Sequence, residues 1–308
     1  MNPFKNILYV VEETADQSSE LARAVSVAEN NQAELTVVQV ISPNPVAGIS
    51  DRETFYRSNL ERWVGPFLKR INIQVKILSG TVFLEIIRSV LRNDYDLVIK
   101  PAENTDVLRG LFGSVDMHLL RKCPCPLWLM KSPEKPKYAS ILAAIDFDPL
   151  QQAASEQPFN NTILDYAATL ALADGASLHL VHAWEAYAET AMMAHGAIST
   201  QGIATHVQNQ ESLHNKGLHG LGEALCGRIG TDAYNKLAPG FHLLKGSAKR
   251  VIAPFAAELQ ADLVVMGTVA RTGISGLIIG NTAEAILNQL TCSVLAVKPP
   301  GFQTPVTL

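Results

Sequence analysis

The chain has 308 residues, a net charge of −4, 47% hydrophobic and 18% charged residues, which supplies full cores for about two domains and excludes a disordered polymer. No basic run accompanies that charge, which argues against a nucleic-acid partner, and no stretch approaches the roughly 18 apolar residues of a membrane helix. The four cysteines are too few for a disulfide scaffold and suit a reducing compartment, and the apolar run Ile7 to Val11 is too short for a signal peptide, so the expected location is cytoplasmic.

Taken in chain order, the predicted elements repeat. Ile7-Leu-Tyr-Val-Val-Glu12 is an apolar run ending in an acid, and Ile141-Leu-Ala-Ala-Ile-Asp146 matches it 134 residues later. Leu35 to Val40 matches Leu178 to Ala183. Gly80 stands 16 residues before Asp96-Leu-Val-Ile99, and Gly246 stands 16 before Asp262-Leu-Val-Val265. Gly113 precedes Lys131 by 18 residues, as Gly280 precedes Lys298, and each lysine closes a short apolar strand, Leu127 to Met130 and Val294 to Val297. Between the strands, Ile163, Ala167, Leu170 and Ala171, then Val251, Ile252, Phe255, Ala256 and Leu259, then Ala283, Ile286, Leu287 and Leu290 each mark one face of a helix. Continuous apolar strands alternating with such helices predict an α/β fold with open parallel sheets covered on both faces.

The boundary falls in Lys131-Ser-Pro-Glu-Lys-Pro-Lys137, a charged, proline-rich stretch that reads as a semi-rigid linker. The domains expected are residues 1–134 and 135–308. The second carries about 32 extra residues, an insertion at 185–240 between Trp184 and Gly240. Its start is rich in alanine, methionine and glycine. It reads as a long loop with a short helix, as a lid or a pocket for a nonpolar ligand, since methionine adapts to irregular apolar surfaces, or as an interaction surface.

Chemistry concentrates after the strand Leu263 to Met266, where the chain runs Gly267-Thr-Val-Ala270-Arg271-Thr-Gly273-Ile-Ser-Gly276-Leu-Ile-Ile-Gly280-Asn281-Thr282 and then turns helical. A glycine after a parallel strand admits close approach of a ligand, and Gly-Asn-Thr at a helix start gathers amide N–H groups and a hydroxyl, a combination suited to phosphate. Equally, these glycines serve turns and helix packing. The spacing fits neither the dinucleotide fingerprint nor the Walker A loop.

This loop resembles the nucleotide signature of the universal stress protein family: glycine, two residues, glycine, nine residues, glycine, then serine or threonine. Gly267 and Gly280 take the first and third glycine positions, Ala270 the second, and Asn281 the hydroxyl position with Thr282 after it. The resemblance covers nearly the whole chain and is nearest to the tandem, E-type members. It implies a Rossmann-like five-stranded parallel sheet per repeat, packed as an internal pseudo-dimer through the last strands, Leu127 to Met130 and Val294 to Val297. It also implies ATP or a related nucleotide with Mg²⁺, with Asp146 on the base or ribose and Arg271 adding charge. The first repeat departs further. Glu12 replaces the aspartate. Counting back from Gly113 puts Lys100 and Glu103 at glycine positions, whereas counting forward from Asp96 puts Pro101 at the first. Only Gly113-Ser114 survives, and Glu103 would repel a phosphate. The expectation is an altered or non-binding first site.

The remaining candidates have bland readings. Cys123-Pro-Cys125 supplies two thiols with no second pair nearby, and Cys292 stands at the equivalent place in the second repeat, which favours packing. His195, His206, His214 and His219 lie in the insertion without an H-E-x-x-H pattern and read as surface residues, with a zinc site as the alternative. No nucleophile–base motif stands out, so an enzyme is the weaker class. The readings are a stress-response binding module with a nucleotide in the second domain, a nucleotide-independent scaffold or nonpolar-ligand carrier, and, third, a weak ATPase.

Overall fold

A computed structural model describes residues 2–12, 16–41, 51–103, 112–150, 156–186, 200–269 and 279–308. The first repeat runs β1 (Asn6–Val11), α1 (Ser18–Asn31), β2 (Glu34–Ile41), α2 (Arg52–Val64), β3 (Ile73–Ser79), α3 (Val82–Asn93), β4 (Leu97–Pro101), α4 (Ser114–Lys122) and β5 (Leu127–Met130). The second runs β6 (Ser140–Ala144), α5 (Glu156–Asp174), β7 (Ser177–Trp184), α6 (Thr200–Ile229), α7 (Thr231–Leu237), β8 (Gly240–Lys245), α8 (Ala248–Glu258), β9 (Leu263–Gly267), α9 (Asn281–Leu287) and β10 (Ser293–Val297).

Each repeat forms five parallel strands, but they do not make two sheets. All ten strands form one sheet in the order β3-β2-β1-β4-β5-β10-β9-β6-β7-β8. Its only antiparallel step among the described pairings joins the repeats, with Leu129 opposite Val294, Trp128 opposite Leu295 and Leu127 opposite Ala296. The last strands were the expected pairing edges; their union removes two edges that would otherwise present unpaired backbone.

Alternation along the strands builds a core on each face. Ile7, Tyr9, Trp128 and Met130 face one side with Leu164, Leu180 and Leu221. Leu8, Val10, Leu127 and Leu129 face the other with Ile86, Val264 and Leu287. Both cores therefore pass through the joint without a break. Repeat symmetry extends to polar detail. Asp96 accepts from the amides of Lys5 (2.6 Å) and Asn6 (3.1 Å), and Asp262 accepts from those of Ala139 (2.6 Å) and Ser140 (3.1 Å). The twice-occurring Asp-Leu-Val thus ties each fourth strand to the start of its first.

The linker is not a spacer. Glu134 accepts from Ser293 Oγ at 2.6 Å, and Lys135 pairs with Asp262 at 2.5 Å. Beside it, Arg23 of α1 makes a two-pronged contact with Asp174 of α5, 2.8 and 2.5 Å, and both side chains are 2% exposed. The Arg23 guanidinium lies 4.4 Å from the Tyr138 ring centre and donates to the Pro136 carbonyl.

The insertion departs from the expected loop. Its described part is a 30-residue helix, α6, followed by α7. Ile203, His214, Leu218, Leu221 and Leu225 lie on the buried face. Two glycines of this helix have a packing role: a Cβ at Gly217 would lie 2.4 Å from the Phe147 ring, and one at Gly222 would lie 2.5 Å from the Phe241 ring. Rings of the domain body press onto the helix where side chains are missing.

Two outcomes follow. Asp174→Ala leaves Arg23 buried without its counter-charge, and urea unfolding should show a loss of about 3–5 kcal/mol. Gly220, exposed on the same helix with open space at its Cβ, should gain roughly 0.8–1 kcal/mol on substitution by alanine, while Gly217→Ala should lower the midpoint because of the Phe147 contact.

Candidate functional site

Strand order reverses between β1 and β4 in the first repeat and between β6 and β9 in the second. The connections leave such a point on opposite faces and open a crevice beyond the strand ends. In the second repeat this crevice is a cavity of about 640 Å³, within the range of small-molecule sites. Ala144, Ile163, Ile252, Met266 and Ile286 give it an apolar floor, and Asp146, Asn160, Asn281 and Thr282 give it a polar rim.

Asp146 sits exposed just past β6. Buried Asn160 holds its backbone from both sides, donating to the Asp146 carbonyl at 2.9 Å and accepting from its amide at 3.3 Å. Gly280 caps α9, and its amide donates to Thr268 O at 3.0 Å. The helix's backward bonding begins at Glu284, whose amide reaches Gly280 O at 2.9 Å. The amides of Asn281, Thr282 and Ala283 precede that bond at the cavity edge, where a helix start favours negative charge. Gly267 ends β9 with a different reason for being glycine than ligand approach: a Cβ there would fall 2.7 Å from Phe159 Cε1, so the residue makes room for a ring that itself lines the cavity. Five of the seven sequence-predicted residues therefore line one cavity, Asp146, Gly267, Gly280, Asn281 and Thr282. Ala270 and Arg271 lie outside the described residues. The described lining includes no lysine or arginine; nearby Lys298 is directed at Thr268 Oγ1, 3.0 Å, and the Leu120 carbonyl.

The first repeat fills the same place with its own side chains. Sheet register settles the alignment: Ile7 pairs with Leu97 as Ile141 pairs with Leu263. Pro101 thus stands at the place of Gly267, and Lys100 at that of Met266, which floors the second cavity. Lys100 is fully buried and bridges Glu12 and Asp116, the latter at 2.8 Å. Asp116 Oδ2 accepts from the Glu103 amide at 2.8 Å. The Glu103 carboxylate accepts from the Val115 amide at 3.2 Å, on the first turn of α4, so it occupies the anion position at that helix start. A Cβ at Gly113 would fall 1.6 Å from Glu103 Oε2; here glycine admits the intruding carboxylate. Glu103, the residue expected to repel a phosphate, thus holds that place with its own carboxylate. Burial works against the Lys100 charge, but Asp116 and Glu12 hold its pKa above the ordinary lysine value. Burial raises the pKa values of Asp116 and Glu103 despite Lys100.

His214, expected at the surface, is buried. Its Nδ1 lies 2.9 Å from Nε2 of buried His182, whose Nδ1 is 3.2 Å from the Ile145 carbonyl. Phe147 stacks on His182 at 4.0 Å between ring centres. This pair anchors α6 beside the strand end that carries Asp146. Burial lowers the His214 pKa, with Asp148 and Asp146 acting in the opposite direction. Sequence spacing missed the pair because its members are 32 residues apart. His195 lies outside the described residues. Among the described residues no group of three metal-binding side chains occurs and no helix is long and apolar enough to cross a membrane.

Comparison with known proteins agrees with this architecture. The model of the Universal stress protein family matches residues 3–131 and again 137–298. Universal stress protein E of Salmonella typhi is 31% identical over 329 aligned positions, covering 100% of this chain and 98% of that protein. The Universal stress protein E homolog of Haemophilus influenzae is 28% identical, covering 96% and 98%. Among solved structures, a functionally unknown protein of Pseudomonas aeruginosa PAO1 shares the fold at a TM-score of 0.74 and 23% identity, covering 97% of this chain and 94% of that one. A universal stress protein from Archaeoglobus fulgidus does so at 0.58 and 17%, covering 96% and 98%. The chain belongs to the universal stress protein family, with two family domains in tandem.

Proposed function

We propose that this protein is a binding and regulatory module of the stress response that takes a nucleotide, ATP or a relative with Mg²⁺, in its second domain alone. One observation carries the reading: the same crevice is an open cavity in the second repeat and is filled by Lys100, Glu12, Asp116 and Glu103 in the first. The apolar floor suits a purine ring. The Asp146 carboxylate is an acceptor for a ribose hydroxyl or an exocyclic amine. The amides at the start of α9 suit phosphate oxygens, and Ala270, Arg271 and Thr282 complete the proposed set. Magnesium would arrive on the phosphates with its waters. The reading is one of binding, with turnover no part of it, and the expected location remains the cytoplasm.

The apolar floor also favours a second occupant, a nonpolar small molecule. In the described part of the insertion Leu218, Leu221 and Leu225 are committed to the core, and none of its residues lines the cavity. Any such ligand would share the same cavity.

Calorimetric titration with ATP and Mg²⁺ should give one site per chain. Asp146→Ala should weaken it roughly ten- to hundredfold, the worth of a hydrogen bond to a charged group. No heat with ATP, together with displacement of a nonpolar dye from the cavity, would replace the nucleotide by the second occupant. Lys100→Met should leave the affinity for ATP unchanged and destabilise the fold by about 3–5 kcal/mol. The loss should be larger at pH 8 than at pH 5. A buried carboxyl with a raised pKa holds its proton more tightly when folded, so its penalty grows as pH rises through that value. Urea midpoints at the two pH values measure it.

A further inference from the structure

Cys123 and Cys125 flank Pro124 between the end of α4 and the start of β5, beside the joint between the repeats. The backbone bends at residues 124 and 125, and the two sulfurs approach to 3.7 Å. Cys123 is fully buried and Cys125 is 8% exposed. Both lie within the apolar core on one face of the sheet. By the register of α4 and α9, Cys125 corresponds to Cys292, whereas Cys123 corresponds to Leu290, a buried leucine. An apolar residue meets the packing need at that place, and a second thiol next to the first goes beyond it.

We propose that Cys123 and Cys125 form a dithiol–disulfide centre that is oxidised by hydrogen peroxide. The Cys123 thiolate attacks one peroxide oxygen, the O–O bond breaks, and hydroxide leaves and takes up a proton as water. The resulting sulfenic acid is attacked by the sulfur of Cys125, which has given up its proton, and a second water departs as the S–S bond closes. In sum, two thiols and one peroxide give one disulfide and two waters, and two electrons pass from the sulfurs to the peroxide oxygens. The small oxidant matches the burial, since a protein or glutathione disulfide cannot reach sulfurs at this depth.

The surroundings divide the two roles. The Cys125 thiol beside it, and then the Lys298 ammonium, hold Cys123 below the usual thiol range, and the same contact, with burial, pushes Cys125 well above it. The Lys298 charge acts on Cys123, and a neighbouring cation favours a thiolate, which makes Cys123 the attacking sulfur and Cys125 the resolving one. Cys292 lacks such a neighbouring thiol and is pushed up to about 11 by burial.

The test exposes the full chain to hydrogen peroxide at neutral pH. Thiols are then alkylated in denaturant, and the peptides are weighed with and without dithiothreitol. The expected result is a peptide containing both cysteines that is lighter by about 2 Da, unalkylated until reduction. In Cys125→Ser, dimedone should mark Cys123 as a sulfenic acid, and Cys123→Ser should show no such mark on Cys125. Both thiols remaining fully alkylatable after peroxide would overturn the proposal, as would either one bonded to Cys226 or Cys292.

Discussion

Antiparallel backbone pairing between β5 and β10 is the constraint from which the rest of the architecture follows. A parallel five-stranded sheet has two edges, and an edge strand with Trp128 and Leu129 on opposite faces is apolar on both sides. Joining two such edges satisfies the backbone and lays the apolar faces end to end, so that each core is shared by both repeats. Once this is done, α1 of one repeat must lie near α5 of the other. The Arg23–Asp174 contact then neutralises charge at a place where helices from different repeats meet away from water. The linker follows the same logic: Glu134 and Lys135 find partners because the strands they connect are already adjacent.

The joint leaves the two crevices at equivalent positions, yet their chemistry differs. One residue at a strand end decides much of it. Met266 contributes apolar surface to a floor. Lys100, at the same register, places an ammonium in that volume, which draws in carboxylates from β1 and α4. Glu103 then completes the filling by taking the amide of a helix start. The first repeat has the frame of the crevice, filled by its own side chains.

Much of this was legible in the sequence because it is written in local patterns. Apolar runs, helical spacing and the twice-occurring Asp-Leu-Val located the strands, and the glycine loop from Gly267 to Gly280 pointed to the second-domain cavity. What escaped was set by contacts between distant segments. The length of α6 escaped because Phe147 and Phe241, which fill the space beside its Gly217 and Gly222, come from elsewhere in the chain. His214 looked exposed because His182 is on a strand. Two counts across the β4 loop gave two alignments, and sheet register was needed to choose Pro101 as the counterpart of Gly267. The charged linker looked like a spacer because nothing nearby in sequence announces Ser293 or Asp262 as partners.

The continuous core has a consequence for how the two crevices can diverge. In a dimer of identical chains, a residue change at one site appears at the other, so a lysine that fills one crevice would fill both. Covalent fusion breaks that bond while keeping the dimer's interior, and it makes the association of the halves independent of protein concentration. One half is then at liberty to become a permanent internal brace while the other keeps its opening, and the symmetry of the scaffold survives the loss of symmetry in its sites.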